Sequence, residues 1–410
     1  MRGLPILPIL VTLRRHRLVA LLLLLQVAAT CAVVCNVGAM VVTRLQRMTI
    51  SSGVEEDQLE LVAVRDLQPH SDVLARHQAD LARLRAIPGV QSVAAVDALP
   101  FSRDTWQVGS HAAKDDDTDA DGLSLTLYNG TPGELATLGV KLLSGRDFVA
   151  SDYVPERVSD NWAGLGDVGA LIVSRDVARH YFPNGNAVGQ AIRIDKRDRV
   201  IVGVFDHLAA PSPGNRQAPD YTVFAPMLPD DTRVTYVMRC RPEACDAIGR
   251  QASDALLGLA RDRLLDSPRR LGDLRRSYFQ RDRTMAGLLV AAALGLLFVT
   301  ALGIAGLANF WVQQRTRTIG IRRAIGATRT DILRYFQLEN FLIVSGGVLL
   351  GMLLALALNL LLMSRYELPR LPLGYLPLGA LALWVLGQLS VLAPARRASR
   401  VPPVVATRSV

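Results

Sequence analysis

The chain has 410 residues, of which 50% are hydrophobic and 20% charged, while only 6% are aromatic. Long Leu, Ala and Val runs of this kind are typical of helices that face lipid, and they argue against a purely soluble protein. The net charge is +9, and only three of the 46 basic residues are Lys (Lys114, Lys141 and Lys196). A Walker A motif requires a Gly directly before its Lys, and none of these three Lys follows a Gly. We therefore expect no Walker A motif in this sequence and no ATP hydrolysis by this chain alone.

Four apolar segments are predicted to cross a membrane as helices, because each offers the roughly 20 residues that a span requires. They are residues 18–42, 285–311, 335–363 and 375–393. The Arg residues before the first segment also fit a signal peptide. A signal peptide has an apolar run of only about 7–15 residues, so the longer run here favours an uncleaved anchor.

The distribution of Arg predicts the orientation of these spans. Segments 1–17, 312–334 and 394–410 together hold 14 Arg and one acidic residue. The positive-inside rule therefore places both termini and segment 312–334 in the cytoplasm. Loop 364–374 is then a short periplasmic loop, and 43–284, with 30 basic and 34 acidic residues, is a large periplasmic domain. The basic excess is thus a signal of topology, and we expect no nucleic-acid partner.

The periplasmic domain is predicted to be α+β with two subdomains, inserted between helices 1 and 2 of a membrane protein with four transmembrane α-helices. Predicted helices cover 71–86 with Ser71 as N-cap, a short stretch after Thr131-Pro132 with Pro at the first position, 175–181 capped by Ser174, 243–265, and a segment from about 274 into the second span. Predicted strands cover 92–99, 123–128, 170–173, 191–194, 200–205, 221–225 and 234–238, with loops at 110–122 and 207–219.

Catalytic and metal-binding motifs are not found in the sequence. The six His are scattered, and neither H-E-x-x-H nor G-x-S-x-G occurs. Residues 117–122 begin like a calcium-binding EF-hand loop, but Tyr128 occupies the position where a bidentate Glu closes the calcium shell. A solvated acidic loop is the favoured interpretation, and no metal or catalytic residue is expected.

The four Cys divide by location. Cys31 and Cys35 lie in the first span, where we expect them to pack as small apolar residues. Cys240 and Cys245 lie in the periplasmic domain, where an oxidising compartment favours a disulfide between them. Two free thiols remain the alternative, and a zinc half-site is disfavoured because no further His or Cys lies nearby.

The cytoplasmic segment contains a short helix whose pattern allows two interpretations. Ile321, Ala324 and Ile325 share one face, and Gly326 follows as a C-cap. Thr328 and Asp331 then form a capping box for the next helix. The short helix could dock on a partner protein, or it could rest on anionic lipid headgroups through its Arg residues.

A family resemblance distinguishes between these interpretations. The run from Arg317 to Thr328, with Asp331 and Glu339, resembles the signature of FtsX-like permeases, which include the permease parts of MacB-type efflux pumps and of lipoprotein-release complexes. Residues 394–402 are similar to the C-terminal segment of members of that family. The periplasmic segments 145–148, 170–174, 181–184, 188–190 and 202–204 resemble the MacB periplasmic core domain.

The resemblance implies a permease subunit of an ABC-type complex in a bacterial inner membrane. Its partners would be an ABC ATPase that carries ATP and Mg, a second permease copy or paralogue, membrane lipid and, for export, a periplasmic adaptor protein. No cofactor is expected on this chain. The coupling helix that would dock on the ATPase comprises Ile319, Gly320, Ile321, Arg322, Arg323, Ala324, Ile325, Gly326 and Ala327.

One residue departs from the family pattern, and the sequence leaves two other functions as alternatives. Members of that family often carry Glu where this chain has Thr318, so a contact of that Glu with the ATPase is not carried over to this chain. The alternative function is that of an FtsX-like regulator, which controls a periplasmic enzyme without transport. A membrane-anchored periplasmic enzyme is a third possibility, but no motif supports it.

Overall fold

A computed structural model describes residues 17–68, 72–103, 106–113, 122–155, 165–213, 220–229, 232–260, 262–366 and 374–400. The chain divides into two compact units. The membrane unit combines Met1–Leu45 with Asp282–Val410, and the inserted unit is Gln46–Arg281.

The regular elements of the described residues are as follows. The helices are α1 (Arg17–Met48), α2 (Val73–Arg85), α3 (Glu134–Leu138), α4 (Arg175–Tyr181), α5 (Cys245–Leu259), α6 (Leu271–Tyr278), α7 (Gln280–Gln314), α8 (Thr316–Ala324), α9 (Arg329–Tyr366) and α10 (Tyr375–Ser399). The strands are β1 (Leu59–Asp66), β2 (Ser92–Val96), β3 (Gln107–Ala112), β4 (Leu123–Asn129), β5 (Leu142–Gly145), β6 (Val154–Pro155), β7 (Ala170–Ser174), β8 (Ala191–Ile194), β9 (Arg197–Phe205), β10 (Thr222–Ala225), β11 (Met227–Leu228), β12 (Arg233–Arg239), β13 (Arg263–Leu265) and β14 (Arg269–Arg270).

Four helices of the described residues are long and apolar enough to cross a membrane. They are Arg17–Met48, Gln280–Gln314, Arg329–Leu361 and Gly379–Ser399. These helices confirm the predicted fold class, with one span before the α+β domain and three after it. Helices α1, α7 and α9 extend beyond the predicted segments at both ends, and α10 extends beyond its segment at the C-terminal end, because helical backbone continues into the charged flanks.

Small residues allow the helices of the membrane unit to approach closely. A Cβ added to Gly351 of α9 would lie 2.5 Å from Cys31 Cβ in α1, which leaves no room for a larger residue. The hydroxyls of Thr30 and Thr300 form a hydrogen bond of 2.8 Å between α1 and α7. Close backbone approach and interhelical hydrogen bonds replace the hydrophobic effect as the source of packing energy within lipid.

The first sheet of the inserted unit has the strand order β13-β1-β12-β2, with β14 also paired to β1. Its pairs are antiparallel, with Val64 opposite Val234 in β12 and opposite Leu265 in β13. Helices α2 and α5 cover one face, where Leu81 and Ile248 join the apolar core.

The second sheet of the inserted unit has the order β5-β9-β7-β10-β4-β3-β8, and β8 also pairs with β9. The ladder from β9 to β8 therefore closes on itself, which leaves fewer unpaired edges. The pairs β7–β9 and β4–β10 are parallel. Its core contains Leu125, Leu171, Ile192 and Ile201, which are all fully buried.

A further apolar core joins the two sheets within the inserted unit. Leu61 and Val237 of the first sheet pack there with Ile172, Phe205 and Phe224 of the second. These contacts connect residues distant in sequence and hold both sheets in the one compact unit Gln46–Arg281. The division into two subdomains stays a prediction.

The predicted helix 243–265 is wrong in its last six residues. Helix α5 ends at Leu259, and Arg263–Leu265 form strand β13 instead. The helical pattern is overridden because these residues complete the edge of the first sheet, opposite residues 64–66 of β1. The helix expected to run from about residue 274 into the second span is also divided, since α6 ends at Tyr278 and α7 begins at Gln280.

Several boundaries in the first half differ from the prediction. Asp72 precedes α2, while Ser71, the predicted N-cap, lies outside the described residues. Helix α3 begins at Glu134 after Gly133, whose φ is +88°, so Pro132 is not its first residue. The predicted loop 110–122 begins within β3, which ends at residue 112. Strand β1 was not predicted at all.

Candidate functional site

The short helix α8 joins α7 to α9, and a buried ion pair holds this junction in place. Arg315 directly precedes α8, and its Nη1 donates to both carboxylate oxygens of Glu339 in α9, at 3.0 Å each. The side chain of Glu339 is 1% exposed and that of Arg315 is 15% exposed. The guanidinium also lies over the ring of Trp311, 5.6 Å from its centroid. These contacts fix the start of α8 to the wall of α9.

The C-terminal end of α8 is closed by a Schellman motif. Gly326 has a φ of +104°, a conformation that costs Gly little. The backbone N–H of Ala327 donates to the carbonyl of Arg322, and that of Gly326 donates to the carbonyl of Arg323. The predicted role of Gly326 as a C-cap is confirmed.

The next helix begins with the predicted capping box. The backbone N–H of Asp331 donates to Thr328 Oγ1 at 3.2 Å, and the N–H of Thr328 donates to Asp331 Oδ2 at 3.0 Å. Two N–H groups that a helix start leaves without partners are thereby satisfied. The carboxylate also lies where the dipole of α9 favours a negative charge.

The predicted apolar face of α8 points away from the membrane unit. Ile321 is 46% exposed and Ile325 is 82% exposed, and Ala324 beside them is also exposed. We call these three residues the apolar patch. By contrast, Ile319 and Gly320 are buried, and Ile319 belongs to the core of the membrane unit. Of the nine predicted residues, two are thus buried, Arg323 and Ala327 are half-buried, and the other five are exposed.

Arginines flank the apolar patch. Arg317 and Arg322 are exposed. The Arg322 guanidinium lies 4.9 Å from the centroid of the Tyr335 ring, an arrangement that orients the cation without neutralising it. The result is a small apolar surface with a positive rim.

The pairing of Arg315 with Glu339 was missed by the sequence interpretation, which named Glu339 only as part of a signature. The sequence did contain a signal from which this ion pair could have been predicted. An acidic residue in an otherwise apolar helix requires a cationic partner, because an unpaired charge is costly in hydrocarbon. Arg315 lies at the end of the preceding span, but its distance to Glu339 depends on how the helices fold together.

The other predicted site is the cysteine pair of the inserted unit. Cys240 and Cys245 are joined by a disulfide, with their Cα atoms 5.5 Å apart. It connects the end of β12 to the first residue of α5, and both cysteines are buried. Cys31 and Cys35 of α1 are free and buried. Among the described residues, no group of three His, Cys, Asp or Glu is arranged to hold a metal ion.

Two family models match the chain. The MacB-like periplasmic core domain matches residues 23–252. The FtsX-like permease C-terminal domain matches residues 290–403.

Individual relatives agree with these models. A macrolide export ATP-binding/permease protein MacB from Nitrosomonas europaea is 31% identical over 252 residues, which are 58% of this chain and 37% of that protein. The protein of the same description from Rhodopseudomonas palustris is 28% identical over 282 residues, 65% of this chain and 40% of the relative. The chain therefore aligns with less than half the length of these curated relatives.

A solved structure is also similar to part of this chain. The periplasmic region of MacB from Actinobacillus actinomycetemcomitans aligns with 57% of this chain and 97% of its own, at 12% identity and a TM-score of 0.32.

Proposed function

The chain belongs to the MacB-like ABC transporter permease family, with a MacB-like periplasmic core domain joined to an FtsX-like permease domain, and from this we propose that it couples ATP hydrolysis on a separate ATPase subunit to motion of its periplasmic domain. In this function the chain is the permease subunit of an export or mechanotransmission complex. In this proposal the partner subunit binds ATP and Mg and hydrolyses the ATP.

The observation that carries the proposal is the exposed apolar patch on α8. Ile325 is 82% exposed at the end of a helix that is otherwise anchored by buried residues. An apolar face on a short, well-capped helix suits insertion into a groove of a partner protein. The Arg residues beside it would meet acidic groups at the rim of that groove, which adds specificity and speeds association.

The structure of the junction supports a route for the motion. Because Arg315 binds Glu339 through both carboxylate oxygens, a force on the start of α8 acts directly on α9. Such two-point contacts constrain direction as well as distance. The Schellman motif and the capping box make the other end of α8 equally stiff.

Membership of the family supports a proposal for the remaining partners and for the location. We propose a complex with a second permease copy or paralogue in a bacterial inner membrane, with both chain termini and α8 in the cytoplasm. In an export complex, a periplasmic adaptor protein would bind the inserted domain.

The test is a charge placed in the apolar patch. Ile321→Asp would put an unpaired carboxylate in the partner groove, so we expect loss of ATPase co-purification and of stimulated ATP turnover. The matched control is Thr330→Asp, which adds the same charge at an exposed position in the first turn of α9. That change should leave partner binding intact, since an acidic residue there favours the helix.

Membrane levels of both variants are compared with the unaltered chain by immunoblotting. Full ATPase binding by Ile321→Asp at normal membrane levels would show that α8 rests on lipid, and the proposed docking site would then be wrong.

A further inference from the structure

One face of the first sheet of the inserted unit is only half covered. Leu61 and Val237 lie opposite each other on β1 and β12 and are buried in the core between the two sheets. Four residues further along β1, on the same face, Arg65 lies opposite Arg233, and both are exposed. The covering elements therefore stop before the end of the sheet.

The two arginines form an unfavourable pair. They are direct cross-strand neighbours, and like charges in that position destabilise a sheet. Neither guanidinium forms an ion pair or a hydrogen bond with any residue that the structure describes. Together the two guanidiniums offer ten donor N–H groups.

A cavity of about 280 Å³ lies over this part of the sheet. Its apolar lining comes from the sheet and from the segments on either side, and it comprises Leu61, Ala63, Val64, Leu99, Leu264 and Leu274. Leu264 is 56% exposed, although it is a large apolar residue on a strand. The volume is close to the lower limit of roughly 300 Å³ for small-molecule pockets, and too small for a folded segment of a partner.

The charges around the cavity favour an anion. Arg65, Arg233 and Arg269 line it, against Asp97 and Asp266. The two aspartates follow β2 and β13, the strands at opposite ends of the sheet order, whereas Arg65 and Arg233 are direct neighbours on β1 and β12, which form the floor. A ligand that enters to the floor therefore meets two neighbouring guanidiniums, which suits a group with several acceptor oxygens.

We propose that this cavity binds a small soluble amphipathic anion, with its carboxylate or sulfonate held by Arg65 and Arg233 and its apolar body packed on Leu264 and Leu274. Binding of the anion offsets the repulsion between the two neighbouring guanidiniums. The proposal does not rest on the export function proposed above.

The experiment titrates naphthalene-2-sulfonate into the full chain in phosphatidylcholine nanodiscs, by isothermal titration calorimetry. We expect saturable binding to one site. The double variant Arg65→Gln with Arg233→Gln should weaken binding by about tenfold or more, because both charge-assisted hydrogen bonds are lost. Arg179→Gln, which removes an exposed arginine of α4 in the second subdomain, should leave the affinity unchanged.

Two further probes separate charge from apolar contact. Inorganic sulfate lacks the apolar body, and naphthalen-2-ylmethylammonium carries the opposite charge. Both should bind at least about tenfold more weakly than the sulfonate. Equal affinity for the cation, an unchanged affinity of the double variant, or no saturable binding of the sulfonate would each overturn the proposal.

The folding of the variant is tested in the same material. Removing two adjacent like charges should leave the thermal midpoint of the ligand-free double variant equal to, or above, that of the unaltered chain. The sulfonate should raise the midpoint of the unaltered chain and not that of the variant. A lower midpoint in the ligand-free variant would show that the two arginines stabilise the sheet and are no unsatisfied ligand site.

Discussion

The ion pair between Arg315 and Glu339 shows how one residue can depend on another across the membrane unit. Removing one member of a buried pair leaves an uncompensated charge, at a cost of about 3–5 kcal/mol. Removing both members restores neutrality and loses only their mutual attraction. The two losses can therefore be separated by a double-mutant cycle.

We expect Glu339→Gln to lower the thermal midpoint of the full chain in detergent, because Arg315 then keeps its charge without a counterion. Addition of Arg315→Gln should recover much of that loss. Neither change touches the apolar patch, so the ATPase should still co-purify with the variants. ATP turnover by the ATPase should, however, no longer be coupled to motion of the periplasmic domain. A control, Arg334→Gln, alters an exposed arginine of the same segment and should change neither quantity. A double variant less stable than Glu339→Gln would contradict this account.

Glu60 on β1 is a second residue whose charge matters. It is 2% exposed and packs against Gly249 of α5. Burial raises the pKa of its carboxyl from 4.5 to about 7, with a further contribution from the charge of Asp246. The native chain therefore holds a proton between these pH values that the unfolded chain releases, and stability falls as the pH rises through that range.

Glu60→Gln should remove this pH dependence. At pH 4 the variant and the unaltered chain should unfold at similar temperatures. At pH 8 the variant should be more stable by up to roughly 3 kcal/mol, since a pKa difference of one unit corresponds to about 1.4 kcal/mol. Thermal unfolding of the full chain at several pH values measures the difference, with Asp254→Asn as an exposed control. A variant that loses stability on going from pH 4 to pH 8 as steeply as the unaltered chain would refute the role of Glu60.

At the scale of the element, α5 and β13 show how a sheet edge limits a helix. The sequence pattern continued a helix to residue 265, yet α5 ends at Leu259 and the chain returns to pair with β1. The start of the same helix is tied by the disulfide between Cys240 and Cys245. Both ends of α5 are therefore determined by the first sheet that it covers.

Alkylation of the denatured chain tests the disulfide. Of the four cysteines, we expect two to react without reductant and all four after reduction, since Cys31 and Cys35 are free. Replacing Cys240 and Cys245 by Ser should lower stability by about 2 kcal/mol, the entropy expected for so short a loop. Reaction of all four cysteines of the denatured chain before reduction would contradict the bridge.

At the scale of the whole molecule, four spans divide the chain into parts of opposite charge. The three Arg-rich segments carry 14 Arg against one acidic residue, while residues 43–284 have an acidic excess. This asymmetry opposes transfer of the Arg-rich segments across the membrane and allows transfer of the acidic domain. It predicts the sidedness of every loop.

Reporter fusions test this topology. A fusion at Val410 should be active only as a cytoplasmic reporter, and one inserted near Asp119 only as a periplasmic reporter. The two sites are separated by three spans, so they must show opposite sidedness. Activity of a periplasmic reporter at Val410 would refute the proposed orientation.

Local patterns alone determined a large part of this protein. The four spans follow from apolar length, because lipid requires each span to satisfy its own backbone hydrogen bonds. The Ser174 cap of α4 and the Thr328–Asp331 box follow from side chains that bond to neighbouring backbone. Such interactions are completed within one turn, so the sequence states them directly.

Only the tertiary structure decided which distant residues meet. The parallel pairing of β4 with β10, the strand at Arg263–Leu265 and the contact of Arg315 with Glu339 each join segments that sequence periodicity treats separately. The half-covered sheet face with Arg65 opposite Arg233 has the same origin. Their energies come from pairing and burial across the chain, and these contributions exist only after the elements have packed together.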